Sequence, residues 1–140
     1  MRIVRSTSAA LLSLATLLLA VPTASAGQTL GQVRSQDHTL RSGCHPYRYH
    51  YDVRPPTADW QLTTWLYDRS GHRRGYDYLQ PSADPSRGRA EFILCRPQAK
   101  PGRYTIKARL RWYDDPLLPL LPATRHSVWL APAHLRLRRP

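Results

Sequence analysis

The chain has 140 residues, 21 Lys+Arg against 9 Asp+Glu, and a net charge of +12. Its 13 prolines exclude long helices, and its length leaves room beyond a leader for one domain and not two. So large a cationic surplus predicts attraction to anionic polymers, whether envelope polyanions, extracellular nucleic acid or anionic lipid.

In chain order, residues 1–26 come first, as a secretory signal. Arg2 and Arg5 supply a positive start, Ala9 to Val21 an almost uninterrupted apolar run, and Ala24-Ser25-Ala26 the small side chains of a cleavage site. The run falls short of the roughly 20 residues that a bilayer-spanning helix needs. Cleavage after Ala26 would leave Gly27 to Pro140 as a single domain, and taking the two leader arginines from +12 gives it a net charge of +10. Cys44 and Cys95 both lie beyond the leader. Export would place them where thiols oxidise, so one intramolecular disulfide is expected.

Period-two alternation then recurs, broken by Pro or Gly about every ten residues. Gln28 to Val33 is the first candidate strand. In CHPYRYHYDV, Tyr47, Tyr49, Tyr51 and Val53 alternate with Pro46, Arg48, His50 and Asp52 as a half-buried strand. Trp60 to Tyr67 makes the third, the Asp68-Arg69-Ser70-Gly71 turn follows, and Arg73 to Leu79 returns. Ala90, Phe92 and Leu94 alternate with Glu91, Ile93 and Cys95 in the next. Tyr104 to Tyr113 is the best strand, with Tyr104, Ile106, Ala108, Leu110 and Trp112 on one face and Thr105, Lys107, Arg109, Arg111 and Tyr113 on the other. Ser127 to Leu130 heads a last strand that can continue past Pro132. About seven short strands at this spacing predict an all-β fold, an antiparallel β-sandwich.

Arg96 to Trp112, RPQAKPGRYTIKARLRW, resembles the turn into the penultimate strand of immunoglobulin-like and fibronectin-type-III-like domains, where a P-G-x-Y motif precedes a long amphipathic strand. The resemblance implies an Ig-like sandwich in which the Tyr104 hydroxyl anchors a corner. It implies no activity. Cys95 stands before this turn and not two residues after the tyrosine, so the bridge differs from that of antibody domains. With strands lettered A to G, Cys44 would precede strand B and Cys95 would end strand E, its antiparallel neighbour. Cys44 shares the outward phase of Arg48 and His50, and Cys95 that of Glu91, which puts the bridge at the rim or outer face of one sheet.

No nucleophile elbow, Gly-rich phosphate loop or compact metal motif is present, and the adjacent Asp114-Asp115 beside Pro116 reads as a turn, so no catalysis and no cofactor is expected. His50 and Asp52 share a phase, but His45 falls in the opposite one, and no metal site is assigned. Two surfaces remain. Arg109, Arg111 and Tyr113, with the C-terminal Arg136, Arg138 and Arg139, are candidate contacts for an anionic envelope polymer or an acidic protein, and non-specific nucleic-acid binding is open to them. Leu117, Leu118, Leu120 and Leu121 form an apolar loop suited to a protein-interaction or inhibitory module. The expectation is a secreted, non-enzymatic binding module at the envelope or outside the cell, its arginine bias matching a high-GC, actinobacterial source.

Overall fold

The computed structural model describes residues 30–114 and 121–140, so the expected leader and Leu117, Leu118 and Leu120 lie outside the described residues. Nine strands form among them: β1 (Gly31–Arg34), β2 (His38–Thr39), β3 (Cys44–Val53), β4 (Trp60–Tyr67), β5 (Arg73–Leu79), β6 (Arg87–Cys95), β7 (Gly102–Tyr113), β8 (Arg125–Trp129) and β9 (Ala133–Arg138). Among the described residues no helix is long and apolar enough to cross a membrane.

The strands make two sheets. One is three-stranded, in the order β1-β3-β6; the other is six-stranded, in the order β2-β9-β7-β4-β5, with β8 also paired to β7. Alternation determines which side chains turn inward. In β3 Tyr47, Tyr49, Tyr51 and Val53 are buried while Arg48 and His50 are exposed, and in β7 Tyr104, Ile106, Ala108 and Leu110 are buried. The apolar inner faces close on each other around Tyr49 and Phe92, whose rings stack at 4.7 Å. Gly75 permits this closure: a Cβ there would lie 2.7 Å from the Phe92 ring, so any larger residue would push β5 away from the core.

The last strand is two pieces laid along one side of β7. β8 pairs with Arg109–Tyr113 and β9 with Gly102–Ile106, while Leu130 N donates to the Ala108 carbonyl at 2.9 Å between them. Pro132 has no N–H to donate, which accounts for the interruption. The expectation of an all-antiparallel arrangement is corrected at β2, which runs parallel to β9 and makes the larger sheet mixed. After β1 pairs with β3, the chain crosses to the other sheet, where the Asp37 carboxylate accepts from Arg136 N at 2.8 Å and from the Arg138 guanidinium at 2.9 Å. A two-residue strand has no alternation of its own to mark it in the sequence.

Cys44 and Cys95 are disulfide-bonded and stand directly opposite each other in the β3–β6 register. Cys44 is exposed, so the bridge ties the rim of the three-stranded sheet, in keeping with its phase. At the entrance to β7 the Tyr104 hydroxyl donates to the Lys100 carbonyl at 2.9 Å and accepts from the Lys100 N–H at 3.1 Å.

One polar network ties the two sheets together. Tyr49 Oη donates to Asp77 Oδ2 at 2.8 Å, which leaves its oxygen to accept from Thr64 Oγ1, also at 2.8 Å. Burial holds the Tyr49 phenol well above the ordinary tyrosine range, so it remains a donor. Tyr49→Phe keeps the ring but strips a fully buried threonine and a half-buried aspartate of their partner. Urea unfolding should show a loss of roughly 1–3 kcal/mol; an unchanged midpoint would mean that water already serves these groups.

Candidate functional site

The six-stranded sheet turns one face to solvent, and its residues follow from parity. On β4 the inward positions are Trp60, Leu62, Thr64 and Leu66, which sends Gln61, Thr63, Trp65 and Tyr67 outward. On β7 the outward set includes Arg103, Lys107, Arg109 and Arg111; on β8 it is Arg125, Ser127 and Trp129. On β5, Asp77 points inward to Tyr49 and Gly75 faces Phe92, leaving Tyr76 and Tyr78 outside, and beyond a register shift Arg73 stands opposite the outward Tyr67. None of these outward positions carries a carboxylate.

Sheet order brings three aromatic rings into one row. Trp65 and Trp129 come from strands on either side of β7, yet their ring centroids are 5.4 Å apart, and Tyr76 continues the row 6.3 Å from Trp65. Arg109, paired across the strands with Trp129 and Thr63, meets both indoles: its Cζ lies 5.4 Å from the Trp65 centroid and 5.3 Å from that of Trp129. A guanidinium is weakly hydrated and planar, so it tolerates this aromatic cover better than an ammonium would. Among the described residues its Nε is buried without a hydrogen-bond partner. Desolvation first, then the charges of Arg111 and Arg125, pull the Arg109 pKa below the ordinary arginine value. Lys107 extends over the Tyr67 ring, 5.1 Å from its centroid.

The row is open to solvent at both ends, with Tyr76 57% and Trp129 54% exposed. Apolar rings of this size are usually covered, and here the uncovered ones share a face with Lys107, Arg111 and Arg125. Tyr76 is positioned by the β4–β5 hairpin, where Asp68 accepts from the backbone of Ser70 and His72 and from Arg74 Nε at 2.7 Å. Desolvation works against the charge of Asp68, but Arg74 and the two N–H groups outweigh it and hold its pKa below the usual value.

The residues expected from the sequence are distributed as follows. Arg109 and Arg111 are on this face, both half-buried, and Arg109 belongs to the aromatic row. Tyr113 is also half-buried, its backbone occupied by Asp59 and Thr57. Arg136 and Arg138 emerge from β9 on the same face, with Arg136 across from Arg103 and Arg138 ion-paired to Asp37, while Arg139 is exposed beyond the strand. Leu121 is 52% exposed; Leu117, Leu118 and Leu120 lie outside the described residues. Trp65, Tyr76, Lys107, Arg125 and Trp129 are additions to the expected set. The sequence signal for them is phase: Trp65 falls on the outward parity of a strand whose other parity is the core, and a large ring facing water is unusual.

Elsewhere, a cavity of about 450 Å³ lies over the three-stranded sheet, lined by Gln32, Arg34, His50, Asp52 and Arg87, and its one carboxylate is committed to Arg87 at 2.7 Å. Among the described residues no three His, Cys, Asp or Glu side chains converge as metal ligands. No protein-family model matches the sequence, and no curated protein matches it.

Proposed function

We propose that the protein is a secreted, non-catalytic binding module that holds anionic polymers on the outer face of its six-stranded sheet. The observation that carries this reading is the composition of that face: Lys107, Arg109, Arg111 and Arg125 stand among exposed rings, and the outward positions contain no acid to neutralise them. Opposed charge attracts such a partner, and the absence of internal pairing among the described residues leaves the cations to contact it. Secretion is supported by the leader pattern and by the disulfide, which persists in oxidising compartments.

The frame is proposed to be immunoglobulin-like, of the fibronectin-type-III arrangement. Its support is the order β1-β3-β6 against β5-β4-β7 followed by the split last strand, which corresponds to A-B-E against C′-C-F-G. The Tyr104 hydroxyl on Lys100 is what a tyrosine corner at the start of strand F requires. On this frame β2 is an added edge strand beside G.

The second reading, a protein-interaction or inhibitory module built on Leu117 to Leu121, is favoured by the exposure of Leu121. The two differ in which substitutions abolish binding. Retention of long-chain polyphosphate should fail in a Lys107→Glu/Arg111→Glu/Arg125→Glu variant and survive Leu118→Ser/Leu120→Ser. The reverse pattern would transfer the function to the loop.

A further inference from the structure

Given that reading, we infer that the polyanion this face takes is single-stranded nucleic acid, with bases stacking on Trp129 and Tyr76 and phosphates meeting Lys107, Arg111 and Arg125. Two features of the face select it. The first is the row of rings. A cationic patch alone would serve any polyanion, yet the two most exposed large apolar side chains of the face, Tyr76 and Trp129, mark the ends of a continuous aromatic row through Trp65. Every base has a π-face, so aromatic platforms beside cations hold single strands with little regard to sequence.

The second is the polarity of the hydrogen-bonding groups. The charged groups at outward positions of β4, β5, β7 and β8 are all donors, Arg73 opposite Tyr67 among them. Of the two outward threonines, Thr63 is 4% exposed and Thr105 is bonded to His134. Sugar hydroxyls donate as well as accept, and an acidic glycan lying here would find no carboxylate to receive its donors, only the Gln61 carboxamide and the neutral hydroxyls of Ser127 and the outward tyrosines. A phosphodiester chain only accepts, so donors suffice for it. Bases inside a duplex are already stacked, which denies the rings their use and predicts a preference for single strands over double.

The experiment measures binding of the disulfide-bonded protein at one salt concentration to oligothymidylate, the corresponding duplex, long-chain polyphosphate and dextran sulfate, each at equal charge, following intrinsic tryptophan fluorescence and polymer anisotropy. Oligothymidylate should bind most tightly and quench the tryptophans. Trp129→Ala, and separately Tyr76→Leu, should lower that affinity roughly five- to hundredfold while polyphosphate affinity stays within about twofold, the ordinary range for an exposed, uncharged change. Equal affinity for oligothymidylate and polyphosphate, with neither variant separating them, would overturn the stacking inference and leave the polyanion reading intact. Dextran sulfate binding most tightly and losing most on Trp129→Ala would overturn it in favour of an acidic glycan. Failure of all four to bind would overturn both.

Discussion

Replacement of Cys44 and Cys95 by serine should lower the unfolding free energy by about 4 kcal/mol in the chain-entropy account of a cross-link. The bridge closes a loop across a sequence separation of 51 and joins residues that already face each other in the β3–β6 ladder. It therefore restrains the unfolded chain without asking the folded sheet to move. The effect is large against the ~5–15 kcal/mol that a whole domain of this kind commands. Much of the core depends on the same pairing, because Tyr47, Tyr49 and Tyr51 on β3 and Phe92 and Leu94 on β6 are buried between the sheets. Urea titrations of the oxidised protein, the reduced protein and the double-serine variant should place the last two together and well below the first. Coincident midpoints for all three would mean that sheet pairing alone sets the stability.

The second large effect is on binding. Reversing Lys107, Arg111 and Arg125 together to glutamate should weaken polyphosphate binding on the order of a hundredfold at low salt, taking up to about 1 kcal/mol for each exposed charge pairing. Repulsion from three new carboxylates acts in the same direction. The substitutions leave the fold in place, since Lys107 and Arg125 are exposed and Arg111 is half-buried, all outside the core. Arg109 is omitted deliberately. Trp65 and Trp129 pack on its guanidinium, and removing it would disturb the rings as well as the charge. Circular dichroism and a thermal scan of the triple variant, matching the natural protein, would tie the loss to the face.

The fold is largely readable in the sequence because period-two alternation states directly which residues face inward. Tyr47, Tyr49, Tyr51 and Val53, or Tyr104, Ile106, Ala108 and Leu110, can be placed in the core from spacing alone, and the phase of Cys44 and Cys95 locates their bridge. Strand β2 escapes because two residues carry no period and because its pairing depends on Asp37 meeting β9, 99 residues away in the case of Arg136. The site is legible by halves. Arg109 and Arg111 share one strand, so their common face follows from local spacing. Trp65, Tyr76 and Trp129 lie on three strands distant in sequence, and only the order of the sheet sets their rings beside each other and beside Arg109. No periodicity within one strand carries that information. The same limit makes Arg109 read as an ordinary solvated charge, whereas its Nε is buried among the indoles.

Binding by charge at the outer face of the six-stranded sheet requires that polyanion affinity depend on salt. For the natural protein, the logarithm of the binding constant for polyphosphate should fall linearly with the logarithm of salt concentration, since each neutralised phosphate releases counterions. In the Lys107/Arg111/Arg125 reversal variant the slope should be shallower by about one for each phosphate that is no longer neutralised. An affinity that stays constant from low to high salt, or a slope that the three substitutions leave unchanged, would contradict the account.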